Sequence, residues 1–223
     1  MRVRLAINAL VKYLFGLVFV ALLLFLPAGS FAFYNAYLFI ALLFIPMFLL
    51  GTYLLIRSPD LLQKRLESKE KEKSQKGIVA VFGLLFVVGF IVAGLDFRFG
   101  WSHFPPLGLI LGSVLLLVSY GLYAEVIREN AYLSRTIRTH EGQVVIDSGL
   151  YAFVRHPMYF ATLLLFLSFA VVLGSIWTFL CFLSFIPLFA LRIKNEERVL
   201  AKDLQGYDSY LKKVKYRLIP FVW

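Results

Sequence analysis

The chain has 223 residues, 61% of them hydrophobic and 16% charged, with a mean hydropathy of +0.81. A soluble domain is nearer half apolar and a quarter charged, so this balance excludes one. The charges fall in short blocks between apolar runs of membrane-crossing length, which is the pattern of a polytopic membrane protein. The net charge of +10 points to an anionic cytoplasmic leaflet rather than to nucleic acid, and the single cysteine, Cys181, rules out an intrachain disulfide.

In chain order, apolar spans are expected at 10–32 and 34–56. The first leads directly into the second, which reads as an anchor rather than a removed segment. Between the second and third spans, "RSPDLLQKRLESKEKEKSQKG" (57–77) opens on Ser58-Pro59, suited to a helix cap and a first-turn proline. Leu61, Leu62 and Leu66 are placed on the membrane surface, Glu67 and Lys71 form an i,i+4 pair, and the whole segment reads as a solvated connector. Further spans are expected at 77–95 and 106–124. In the latter, Gly108 and Gly112 are spaced for a helix contact.

From Met158 to Leu191 no Asp, Glu, Lys, Arg or His occurs. One straight helix of that length would be on the order of 50 Å long, against a hydrocarbon core of about 30 Å. Gly174-Ser175 lies at its middle, so the segment divides into a hairpin of two short helices. The fold class is therefore all-α, a polytopic integral membrane protein of about six transmembrane helices. It is expected to carry a C-terminal helical hairpin with a pocket at its cytoplasmic end. With the N-terminus cytoplasmic, all of the 23 lysines and arginines except Arg98 fall inside, which predicts cytoplasmic N- and C-termini. The membrane would be the cell membrane if the source is prokaryotic.

The chain divides into N-terminal transmembrane helices (1–124) and a polar-rich region (125–223) expected to carry the chemistry. Gln143-Val144-Val145-Ile146 is short and β-branched, an extended segment followed by a turn at Asp147-Ser148-Gly149. Extended backbone beside a membrane needs hydrogen-bond partners, and a ligand with hydrogen-bonding edges would supply them. Next comes "GLYAFVRHPMYF" (149–160), where Pro157 suits the first turn of a helix. The helix N-terminus, Arg155 and His156 together predict an anion at this lip, with Tyr151 and Tyr159 at interface depth. The plainer reading of these residues is interfacial anchoring. At the far end of the hairpin, "LRIKNEERVL" sets Arg192 and Glu196 four apart on one helical face, with Glu197 adjacent. An ion pair between Arg192 and Glu196 would account for those two alone. The hairpin, however, brings them back to the level of Arg155 and His156, giving a pocket suited to a zwitterionic ligand.

In combination, Gly-x-Tyr-x-x-x-Arg-His-Pro-x-Tyr, an apolar hairpin, Arg-x-x-x-Glu-Glu and a closing "GYDSYLKKVKYRLIPF" resemble the isoprenylcysteine carboxyl methyltransferase family, over roughly 125–223. The related phospholipid methyltransferases share the Arg-His-Pro and Glu-Glu features. The resemblance implies S-adenosylmethionine (SAM) as methyl donor. It places cofactor contacts on Gln143, Val144, Val145, Ile146, Tyr151, His156, Pro157, Met158, Tyr159 and Glu196, and the substrate-binding arginine on Arg192; the adjoining Arg155 and Glu197 are also expected to bind the cofactor. Gln143 departs from the histidine of animal members. The implied catalytic set is Arg192 on an acceptor carboxylate, Glu196 on the cofactor and His156 on the methionyl carboxylate.

The acceptor is expected to be a lipophilic or lipidated molecule, or a membrane lipid, entering between spans. No metal is expected, because no His, Cys and carboxylate cluster has ligand spacing. The alternatives are a phospholipid N-methyltransferase, an NADPH-dependent membrane reductase of the sterol reductase type, and a non-enzymatic membrane scaffold.

Overall fold

A computed structural model describes residues 2–66, 73–130, 132 and 142–223. In chain order the helices are α1 (Arg2–Ala28), α2 (Tyr34–Arg57), α3 (Pro59–Leu66), α4 (Lys73–Phe99), α5 (Pro106–Glu129), α6 (Pro157–Leu173), α7 (Ile176–Leu183), α8 (Phe185–Asp203) and α9 (Tyr207–Lys213). A single 3-10 turn, Gly149–Ala152, precedes α6, and no strand occurs among the described residues. Five helical stretches are long and apolar enough to cross a membrane, α7 and α8 counting as one from Ile176 to Asp203. The sixth apolar segment, α6, has 17 residues, or roughly 26 Å at 1.5 Å per residue.

The polytopic all-α expectation is borne out, and the hairpin turns where the sequence places it. Gly174 closes α6 in the left-handed region at φ 73°, and the Ser175 side chain caps α7 by accepting from the Thr178 N–H. A second break, at Ser184, separates α7 from α8. Its cause is Pro187, whose missing N–H and bulky ring remove the bond to the carbonyl four residues earlier. Most helix ends run past the hydropathy limits, although α1 stops at Ala28, short of the expected residue 32. α1 starts at Arg2, α4 reaches Phe99 and α5 reaches Glu129. Apolar content marks only the lipid-immersed part, whereas backbone pairing continues past it.

The segment after α2 corrects the sequence reading. Pro59 does open a helix, but Leu61 and Leu62 are buried against Leu54 and Ile127 rather than lying on a membrane surface. The Lys12 ammonium donates to the Leu66 carbonyl at 2.6 Å, tying α3 to α1. α3 is thus a packed element, because its leucines find an apolar niche between α2 and α5. The Glu67–Lys71 pair lies outside the described residues.

Without a hydrophobic force between helices in lipid, association depends on close packing. α5 lies along α6, α1 along α4, and α2 touches α1, α5 and α6. Gly112 faces α6 so closely that an added Cβ would meet Val171 Cγ1 at 2.8 Å. Gly108 does not share this role, since its nearest neighbours are Phe104 and Pro105 just before its own helix. The centre is aromatic. Phe169 and Phe185 each pack edge-on to Phe166, at 5.4 and 4.6 Å, and Phe189 continues the series to Tyr159 at 5.4 Å. This column runs from the core to the polar end, where the site lies.

The opposite end is held by Asp96, which is 3% exposed. Its carboxylate accepts from Ser102 N–H (2.8 Å), Ser102 Oγ (2.7 Å) and Ser175 Oγ (2.5 Å), joining α4, the 99–106 loop and the hairpin turn. Each hydrogen bond to a charged group is worth about 1.5–3 kcal/mol. Asp96→Ala should therefore lower the thermal unfolding midpoint in detergent by several degrees, and Ser175→Ala by less. Unchanged midpoints in both variants would show that the turn is held otherwise.

Candidate functional site

Two side-chain clusters meet where the hairpin returns to the polar end. The first forms around the lip of α6. His156 occupies the N-cap position with Pro157 at the first helical position, so the missing proline N–H costs no intrahelical bond. The backbone N–H groups of Arg155 and His156 donate to the Tyr216 and Arg217 carbonyls, both at 2.9 Å. The chain's last segment thereby lies against the start of the hairpin.

Side chains then converge on Glu197, which is 8% exposed. Arg217 Nε donates to Oε2 at 2.9 Å, and His156 Nε2 lies 3.3 Å from Oε1. Arg155 Nε approaches Oε1 to 3.2 Å without hydrogen-bond alignment. Arg155 and His156 are themselves 8% and 5% exposed. A carboxylate buried this deeply needs both charge and hydrogen bonds in compensation. The anion expected at this lip is thus supplied in part by the chain itself. Two guanidiniums around one carboxylate still leave a positive excess, whatever the state of the imidazole.

The second cluster is a relay. Arg192 is 8% exposed and donates from Nε to the Tyr159 hydroxyl at 3.0 Å. That hydroxyl donates onward to Glu196 Oε2 at 2.6 Å. The i,i+4 spacing of Arg192 and Glu196 therefore acts through a phenol contributed by α6. Arg192 Nη1 also donates to Gln75 Oε1 at 3.3 Å, which brings α4 to the site.

A third group of residues surrounds the segment 143–152. Val144, Val145 and Ile146 make no backbone hydrogen bond to another described backbone group, as expected of an extended stretch awaiting a partner. The Glu129 carboxylate at the end of α5 accepts from the Leu150 N–H at 3.0 and 2.9 Å. Gly149 is required here, since a Cβ would collide with that carboxylate and φ is 55°. Asn130 Nδ2 donates to the Tyr151 hydroxyl at 3.0 Å, and the Tyr210 hydroxyl donates to the Tyr151 carbonyl at 2.8 Å. Burial pushes the Tyr151 phenol well above its usual range, with the Asn130 bond opposing it.

Tyr207, 4% exposed, packs with Val145, and its buried hydroxyl has no partner among the described residues. Burial first, then the carboxylates of Glu196 and Glu197, push its phenol up, so it remains a neutral donor. An orphaned buried donor and unpaired backbone at one place suit a ligand bearing hydrogen-bond acceptors and donors.

The structure thus brings Tyr159, Arg192 and Glu196 into one relay, and Arg155, His156 and Glu197 into one ion cluster. Tyr151 and 143–146 sit beside them, through Tyr207 and Tyr210. Glu197 faces the cations of its own chain, a role distinct from that of Glu196 next to it. Sequence reasoning missed Gln75, Glu129, Asn130, Tyr207, Tyr210 and Arg217. The last three lie within the closing "GYDSYLKKVKYRLIPF", whose pattern gives them no individual role. Gln75 carried no signal, being one polar residue among many beside a basic loop.

Comparison with known proteins adds two findings. The chain is 29% identical over 164 residues to the Delta(14)-sterol reductase of Mus musculus, covering 66% of this chain and 39% of that protein. The chain therefore spans about two fifths of the length of the curated relative it matches. Residues 109–202 match the profile of the isoprenylcysteine carboxyl methyltransferase (ICMT) family. That region runs from α5 through the 143–152 segment and the hairpin to Glu196 and Glu197, and over it the resemblance to the isoprenylcysteine carboxyl methyltransferase family is shown.

Proposed function

We propose that this protein is an integral membrane SAM-dependent methyltransferase acting on a carboxylate of a lipophilic acceptor. The observation that carries the reading is the Arg192–Tyr159–Glu196 relay at the mouth of an apolar hairpin. It sets an arginine able to hold an acceptor carboxylate beside a carboxylate able to hold a cationic cofactor, with one phenol fixing their separation. SAM, when bound, supplies an electrophilic methyl on a sulfonium sulfur. A carboxylate acceptor is already ionised at neutral pH, so no proton has to be removed. The protein's contribution is alignment.

In this reading Arg192 orients the acceptor oxygen, and Glu196 accepts hydrogen bonds from the cofactor's ammonium or ribose hydroxyls. The positive excess at Arg155, His156 and Arg217 favours the methionyl carboxylate. Tyr207 and the open backbone of 144–146 offer partners for the adenine edge. The acceptor's tail lies in the bilayer between spans, and the cofactor enters from the cytoplasm.

A second reading, an NADPH-dependent reductase, is favoured by the similarity to the Delta(14)-sterol reductase. The two part on cofactor. Purified protein should bind SAM in calorimetry and show no comparable affinity for NADPH, and the reverse result would establish the reductase reading instead. Incubating a membrane extract with labelled SAM should then label a lipophilic acid as its base-labile methyl ester. A base-stable methylamine product would replace the carboxylate with an amine acceptor.

The relay gives three variants distinct outcomes. Glu196→Gln removes a charge-assisted bond of about 1.5–3 kcal/mol and should weaken SAM binding by roughly ten- to a hundredfold. Arg192→Ala should leave SAM affinity near wild type while collapsing turnover. Tyr159→Phe uncouples the two and should reduce both, each by less than the corresponding direct variant. Equal losses of SAM affinity in Glu196→Gln and Arg192→Ala would reduce the relay to a structural contact.

The site must also face the cytoplasm. In a Cys181→Ser background, His103→Cys in the 99–106 loop should react with an impermeant maleimide applied outside intact cells. Lys212→Cys in α9 should react only after permeabilisation. The opposite pattern would invert the orientation.

A further inference from the structure

Gln75 is the least expected member of the site. It stands near the start of α4, outside the region that carries the family match, and is 1% exposed. Arg192 has only donors to offer, so the carboxamide oxygen has to face it, and Oε1 accepts from Nη1 at 3.3 Å. The planar amide then holds Nε2 next to that contact. Nε2 is buried and has no hydrogen-bond partner among the described residues. A buried donor without a partner is costly, on the order of 1–3 kcal/mol, and side chains as buried as this one are nearly always satisfied.

A glutamine serving only to brace Arg192 would need its oxygen alone. We propose that Gln75 is a second acceptor-binding residue, whose Nε2 donates to the carboxylate that Arg192 holds. This rests on the carboxylate-acceptor reading given above and sharpens it. Two planar donor groups from α4 and α8 would grip one carboxylate, and the anion would satisfy the donor left open in its absence. An ammonium acceptor would be opposed by the same two groups. The clamp also makes acceptor choice depend on α4, so that the N-terminal helices take part in recognition.

The test separates bracing from binding, because Gln75→Glu keeps an oxygen for Arg192 but loses the donor. N-acetyl-S-farnesylcysteine and its methyl ester serve as probes, with equilibrium binding measured in detergent and SAM affinity measured in parallel. Wild type should prefer the acid. Gln75→Glu should bind the acid at least tenfold more weakly, and Gln75→Leu several-fold more weakly. SAM affinity should stay within twofold in both, and where turnover is measurable the acceptor KM should rise more than kcat falls. Wild-type affinity for the acid in Gln75→Glu would overturn the proposal while leaving the carboxylate reading intact. A wild-type protein that does not prefer the acid to the ester would overturn both.

Discussion

A carboxylate that loses its hydration at the end of a membrane hairpin must find compensating charge and hydrogen bonds, and Glu197 finds them on two separate stretches of chain. Arg155 and His156 come from the lip of α6, and Arg217 from the tail beyond α9. Removing the carboxylate would leave the buried Arg155 guanidinium without its counter-charge, which is far more costly than the pair is stabilising. The start of the hairpin, its end and the closing segment are therefore locked to one point. The two backbone bonds from 155 and 156 to the tail reinforce that lock. The relay depends on this geometry, since Tyr159 and Glu196 belong to the two arms that Glu197 draws together.

The two neighbouring glutamates show how one helix face divides its work. Adjacent residues on a helix point about 100° apart. Glu197 turns into the cation cluster, whereas Glu196 meets Tyr159 and remains partly exposed. One is enclosed by arginines and buried, and the other stays partly exposed. The membrane-embedded part supports this from below. An aromatic column of Phe169, Phe166, Phe185 and Phe189 ends against Tyr159, so the ring that bears the relay's hydroxyl is seated by core packing. At the far end Asp96 fixes the turn, which leaves little freedom to slide one arm of the hairpin past the other.

The closing segment and α4 extend the site beyond the hairpin. Tyr207 and Tyr210 bring α9 over Val145 and Tyr151, so the chain's last stretch covers the backbone that precedes α6. Gln75 brings in the third membrane-crossing helix. The candidate site is thus assembled from α4, α6, α8 and α9.

Much of this was legible in order along the chain. Hydropathy located the crossings, because lipid tolerates only long apolar helices. Gly174-Ser175 marked the turn, since no single helix of that length fits the hydrocarbon thickness. Pro157 marked the entrance to α6, and the Arg-His-Pro and Arg-x-x-x-Glu-Glu runs are ones that the fold brings together. What the sequence left open was partnership. Arg192 and Glu196 read as an ion pair, but a phenol from another helix stands between them. Glu196 and Glu197 read as alike and are not. Leu61 and Leu62 read as surface residues because the niche that buries them is built by α2 and α5. Local spacing determines which element forms and which face a residue occupies, since those follow from backbone periodicity. Which partner that face meets, and therefore which of two neighbouring glutamates is buried among arginines, follows only from how helices far apart in sequence pack together.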